Sequence, residues 1–170
     1  LRNMAQQLHS FTRHGIYRKY FDGPNSLDYK NNLVVLELDH LKGKKHLQQV
    51  VLLQLIAQLN NEFYLGDRRV PKILLVDEAW EAFEDPMVAK FLEGAFRRMR
   101  KAAAAPVVVT QSLRDLYNSA SGEAIANNAA NVIVLRQNGE AIEALKESGR
   151  FNIGDYGYEM LKSLHTEPGQ

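Results

Sequence analysis

Residues 73–76, Ile-Leu-Leu-Val, form an unbroken apolar run that stops on two acids, Asp77 and Glu78. No other feature limits the fold as much. A strand with one face in water alternates apolar and polar residues, whereas a continuous run argues for burial on both faces, as in a parallel sheet covered by helices. Parallel neighbours also need long crossover connections, so helical segments must lie between successive strands. Four runs meet the demand: "LVVLEL" at Leu33–Leu38, "VPKILLVD" at Val70–Asp77, "PVVVTQS" at Pro106–Ser112 and "NVIVLRQ" at Asn131–Gln137. Between them the apolar spacing predicts a helix over His46–Tyr64, and a second with Asp85 as N-cap and Pro86 in its first turn. Val88, Phe91, Leu92, Ala95 and Met99 line that second helix, and a third lies around Gly122–Ala130. Two short helices, about Glu140–Ser148 and Tyr156–His165, follow the last strand. Upstream, Leu1, Met4, Leu8 and Phe11 share a helical face that Gly15 is placed to end. The expected fold class is α/β, a mainly parallel sheet flanked by helices and joined by right-handed crossovers.

Composition removes several classes of function. The 170 residues are 45% hydrophobic and 24% charged, the balance of an ordinary soluble domain. Lys and Arg number 21 against 20 Asp and Glu, so the net charge of +1 gives no global pull toward nucleic acid or an anionic membrane, and any such contact must be local. With no cysteine there is no disulfide, thiolate metal site or thiol nucleophile. The longest apolar stretch, Val50–Leu59, is broken by Gln54 and Gln58 and is too short to span a bilayer. No signal peptide is apparent. Because the sequence opens on Leu1 within a helical pattern and stops at "TEPGQ", a fragment of a longer protein is expected.

In an open α/β sheet, chemistry collects at the carboxyl ends of the strands. The four runs deliver Asp39, then Asp77 and Glu78, then Thr110 and Gln111, then Arg136 and Gln137. A carboxylate that ends a buried strand orders a water on Mg²⁺, and a second carboxylate beside it accepts a proton from an attacking water. Asp77 and Glu78 suit those two tasks in that order. A neutral amide on a neighbouring strand tip positions the water and a terminal phosphate without titrating, and Gln111 suits that task. The competing reading is a solvated strand end that happens to carry two acids. A phosphate-cradling loop, G-x-x-x-x-G-K-[ST], does not occur. Its nearest approach, "LDHLKGKKH", has Gly43 and Lys44 in place, but Leu38 stands where the first glycine belongs and Lys45 where the hydroxyl residue belongs. There is no H-E-x-x-H or G-x-S-x-G, and His9, His14, His40, His46 and His165 share no ligand spacing. Tyr17, Tyr20 and Phe21, in "YRKYFDGPN", read either as stacking platforms for single-stranded nucleic acid or as rings that pack the chain on itself, and the packing reading is preferred. Trp80 is expected to pack beneath the acid pair.

Six stretches, "GIYRKYFDGPNSLD", "NNLVVLELDHLK", "VPKILLVDEAW", "FRRMRK", "VVVTQS" and "NVIVLRQNGEAIEAL", occur in an order that resembles the carboxyl-terminal ATPase domain of the TraC/VirB-type ATPases of conjugative type IV secretion. The resemblance implies a partial RecA-like P-loop NTPase core whose phosphate loop lies upstream of this chain. It further implies ATP and Mg²⁺ as ligands, a homo-hexamer, other type IV secretion components as partners, and a peripheral place on the cytoplasmic face of the bacterial inner membrane. One domain is then expected over 1–170, with 1–22 ending a helical insertion, 31–147 forming the sheet core and 148–170 a C-terminal helical segment. Carried over by motif, Asp77 and Glu78 become the Walker B pair, with Asp77 holding Mg²⁺ through water, and Gln111 becomes the sensor residue. Arg100 and Lys101 match a basic motif, Lys101 toward the nucleotide. One of Arg98, Arg100 or Arg136 is the arginine finger for a neighbouring subunit that the resemblance implies, and the competing reading of the helix-end basic residues is a solvated face that supports its own helix through the dipole. Two other readings stay open: a DNA-translocating or coupling ATPase of the FtsK/HerA type, with nucleic acid as partner, and a non-catalytic interaction module.

Overall fold

The computed structural model describes residues 6, 8–24, 31–79 and 83–165. The chain forms two compact units, Leu1–Leu52 and Leu53–Gln170.

In the first unit, the helical turn that includes Leu8 and His9 gives way at Ser10, earlier than the expected stop at Gly15. The reversal is tight: Tyr17 N–H donates to the Ser10 carbonyl, and a Cβ on Gly15 would lie 2.2 Å from the His9 carbonyl oxygen. Only glycine fits there. Phe11 then packs against Tyr17 and Phe21, with ring centroids 5.4 Å apart in both pairs. These rings therefore pack on each other. Leu33–Leu38 carries no strand ladder among the described residues, and Leu33 and Val35 are exposed. An apolar run becomes a strand only where a neighbour's backbone groups pair with its own, and none of the described residues does so here.

Helix α1, Lys45–Asn60, spans the division between the units and continues into a π turn, Asn61–Leu65, that carries Phe63 into the core. Strand β1, Lys72–Val76, pairs in parallel with β2, Ala104–Val108, in the register Lys72↔Ala104 to Val76↔Val108. Pro106 is tolerated inside β2 for a clear reason. Ala103 and Val109 direct their backbone groups at β1, so the even-numbered positions between them point away, and the missing N–H of Pro106 falls on the outer edge. Helix α2, Pro86–Arg98, makes the crossover between the two strands. Its N-cap is Asp85, whose side chain accepts from the N–H groups of Met87 and Val88, with Pro86 in the first turn as the sequence predicts. Ala89, Leu92, Ala95 and Met99 are buried along one face, and Met99 and Ala95 meet Phe63 and Ala104 in the core, with Leu74 and Phe91 at its edge.

β1 buries one face, not two. Leu74 packs on this core, whereas Ile73 and Leu75 are exposed, so the continuous apolar run did not translate into cover on both sides. Beyond β2 come α3 (Leu113–Tyr117), α4 (Ala120–Asn128), α5 (Gly139–Ser148) and α6 (Gly154–Ser163). Helix α4 packs on α2 and α3. The expected fourth strand, 131–138, forms no ladder among the described residues, and Ile133 and Leu135 are exposed. Val134 packs against the cluster of Ile142, Tyr158 and Leu161 where α5 meets α6. The architecture remains α/β, a parallel pair of strands flanked by helices.

Candidate functional site

Both parallel strands run toward the same edge, and that edge holds the site. Past the end of β1 the chain does not leave the sheet at once. Val109 N–H donates to the Val76 carbonyl at 2.9 Å and Ala79 N–H donates to the Val109 carbonyl at 3.0 Å, so the Asp77–Glu78 turn is tied at both ends to the extension of β2. Ala79 is fully buried beneath it. Within the turn, Glu78 adopts φ 51°, the left-handed region that a non-glycine residue enters at a cost on the order of 1–3 kcal/mol. Asp77 supports that conformation by accepting the Glu78 N–H on Oδ1 at 2.9 Å.

The strained turn aims the Glu78 side chain across the strand pair. Gln111 Nε2 donates to Glu78 Oε1 at 2.9 Å and lies 3.2 Å from Oε2, a meeting of residues 33 positions apart. Gln111 is itself held from behind. Ser112 opens α3 with a capping box, its hydroxyl accepting from Arg114 N–H while Asp115 accepts the Ser112 N–H, and the Thr110 hydroxyl donates to the Ser112 carbonyl at 3.1 Å. The "SLRD" pattern at Ser112–Asp115 is legible as a helix start, yet its part in fixing Gln111 was missed because the box shows only where the helix begins. Trp80 lies outside the described residues.

Asp77, Glu78 and Gln111 are exposed at this edge. Among the described residues no group of three or more His, Cys, Asp or Glu gathers to enclose a metal. The donor set nevertheless fits Mg²⁺, which keeps several of its waters and needs only one or two carboxylates, and Asp77 Oδ2 accepts no hydrogen bond from the described residues.

The other expected site residues lie elsewhere. Arg100 and Lys101 sit in the 3-10 turn Met99–Ala102, ahead of β2, and their side chains make no hydrogen bond or ion pair among the described residues. They are therefore at the opposite end of the strand from Gln111, and five residues of strand span roughly 16 Å. Arg98 is taken up locally, over the Tyr64 ring and against the Gly94 carbonyl. Arg136 is exposed in the segment 131–138. Asp39 pairs with Lys42 at 3.1 Å in the first unit, and beside it Gly43 turns the basic connector at φ 81°. Lys44 serves Tyr20: its Nζ lies 3.4 Å from the phenol oxygen, and that hydrogen bond, with the charge of Lys19, lowers the Tyr20 pKa from its ordinary value.

A glutamate on one strand tip is thus held by a glutamine from the next, with an aspartate beside it. The family model described as the TraG P-loop domain matches residues 1–147. The chain belongs to the TraG P-loop domain family. Among curated proteins, this TraG-family chain is 29% identical over 158 residues to protein TraC of Escherichia coli (strain K12), an alignment that covers 89% of this chain and 17% of TraC. Among solved structures it resembles VirB4 of Thermoanaerobacter pseudethanolicus, with a TM-score of 0.65 and 20% identity over 95% of this chain and 44% of that one. The expected likeness to TraC/VirB-type proteins is thereby borne out. The α/β fold read from the sequence agrees with the VirB4 match. Among the described residues no helix is long and apolar enough to cross a membrane.

Proposed function

We propose that this chain is the downstream part of the ATPase domain of a type IV secretion motor, one domain over 1–170 in which the phosphate loop is contributed from upstream. The observation that carries the reading is the convergence of Asp77, Glu78 and Gln111 from the tips of two adjacent parallel strands. Glu78 is the general base: it accepts a proton from the water that attacks the terminal phosphorus of ATP as the bond to ADP breaks. Asp77 would hold Mg²⁺, which when bound would supply positive charge that offsets the phosphates. Gln111 is the sensor, directing its amide at the attacking water and the terminal phosphate.

Arg100 and Lys101 lie on the far edge from their own Glu78, which supports a role toward the site of a neighbouring copy in a homo-hexamer, with Lys101 on the nucleotide. Arg136 is the second candidate for that role. The likeness to TraC supports conjugative transfer or pilus assembly as the work energised, at the cytoplasmic face of the inner membrane with other secretion components as partners. The test is Glu78→Gln in the full-length protein. Nucleotide binding should persist while hydrolysis falls by about a hundredfold or more, since the amide keeps the shape but takes no proton. Wild-type turnover in that variant would end the assignment.

A further inference from the structure

The sensor role asks Gln111 to face a water and a phosphate, yet its amino group is committed to Glu78, within 3.2 Å of both carboxylate oxygens. The assignment of the amide is not arbitrary. Turned over, its carbonyl oxygen would oppose a carboxylate, so only the amino edge can face Glu78. The pair is also preorganised from both sides. The left-handed turn at Glu78 is tied down by Ala79 and Asp77, and Gln111 is fixed by the capping box at Ser112. A donor resting on both oxygens takes up two of the roughly four lone-pair sites of the carboxylate and stabilises its charged form, so Glu78 is a weakened base for as long as the amide stays on it.

We propose that Gln111 is a latch on Glu78: its amide holds the carboxylate in a less basic state, and the terminal phosphate of a bound nucleoside triphosphate restores the base by winning the amide away. Gln111 is thus a positioning residue for Glu78 as well as a reader of the phosphate. A diphosphate has no group at that place and leaves the latch closed. Hydrolysis then becomes conditional on a complete triphosphate, and loss of the terminal phosphate re-forms the Gln111–Glu78 bond. This inference rests on the ATPase reading above.

Two measurements test it. In the 170-residue chain, Glu78→Ala should shift the side-chain amide resonances of Gln111, because the hydrogen bond between the two is lost. Resonances unchanged by Glu78→Ala overturn the latch. In the full-length protein, calorimetry should compare a slowly hydrolysed ATP analogue with ADP in Glu78→Ala, Gln111→Ala and the double variant. Removing Glu78 frees the amide for the phosphate, so the analogue should bind about tenfold tighter, the worth of one charge-assisted hydrogen bond. That gain should vanish when Gln111 is also alanine, and ADP affinity should be the same throughout. An equal gain with and without Gln111 would mean simple relief of charge repulsion and would overturn the proposal, as would no gain. Failure of the parent reading looks different: full-length protein that binds neither nucleotide, or a Glu78→Gln variant with normal turnover, removes the ATPase assignment itself.

Discussion

Arg98 lies over the ring of Tyr64, its guanidinium carbon 5.8 Å from the centroid, while its Nε donates to the Gly94 carbonyl on its own helix. The contact ties the end of α2 to the π turn that bears Phe63. Arg98→Ala should therefore destabilise the fold, by about 0.5–1 kcal/mol for an exposed cation–π pair. Thermal unfolding of the 170-residue chain reads this directly. Tyr64→Leu should cost a similar amount and the double variant should cost less than the sum, because the two residues share one interaction.

Arg100 calls for a different experiment. It has no partner among the described residues and stands at the opposite end of β2 from Gln111, so a contribution to catalysis has to reach another copy's site. In the full-length protein, Arg100→Ala should leave the melting temperature nearly unchanged and abolish hydrolysis in a uniform ring. Mixed rings of Arg100→Ala with Glu78→Gln should regain part of the activity, since each subunit supplies what the other lacks. The same mixing series applies to Arg136→Ala. Activity that falls in strict proportion to the mutant fraction for both would leave no arginine acting between subunits.

The 170-residue chain by itself carries the proposed base and sensor but no G-x-x-x-x-G-K-[ST] phosphate loop. Most of the backbone donors that hold a nucleotide's phosphates belong to such a loop. Isolated chain should therefore neither turn over ATP nor bind it tightly with Mg²⁺. Calorimetry showing micromolar affinity would mean that the strand-tip edge recognises nucleotide by contacts other than those proposed.

What was legible in the sequence follows from which interactions are local. The N-cap at Asp85, the crossover helix lined by Leu92, Ala95 and Met99, and the strand before Asp77 are written in spacing and cap chemistry; the cap and helix occur as read, and the strand occurs over Lys72–Val76 with one face open. The pairing of strands is not local. Leu33–Leu38 and 131–138 have the composition of strands, yet a ladder depends on a neighbour's backbone groups, which composition does not report. At the site, residue types were legible while contacts were not. Asp77, Glu78 and Gln111 could be picked out one by one, but the left-handed turn at Glu78 that turns its carboxylate toward Gln111 has no signature in the residue itself.

The packing of α6 on α5 supplies a prediction about pH. Lys162 pairs with Glu143 at 2.6 Å, and Lys146 pairs with Asp155 at 2.7 Å, so two ion pairs of opposite polarity join the helices around Ile142, Tyr158 and Leu161. The hydrogen bond from Lys162 lowers the Glu143 carboxyl below its ordinary value, and that from Lys146 does the same for Asp155; both lysines are raised in return. A carboxyl with a lowered folded-state value binds fewer protons in the folded chain than in the unfolded one. Its stabilisation is therefore complete above the ordinary carboxylate range and is lost as pH falls through the lowered value. The raised lysines keep their share until pH climbs past the ordinary lysine range. All four groups face solvent, so the effect should be small and should shrink as salt is added. Lys162→Met retains the aliphatic contact while removing the charge, which returns Glu143 toward its ordinary value. Thermal melts taken from neutral pH down through the carboxylate range at low salt should show the wild-type chain losing more stability than Lys162→Met, the two curves converging at the acid end. Parallel curves would mean that the Glu143–Lys162 pair contributes nothing to holding α6 in place.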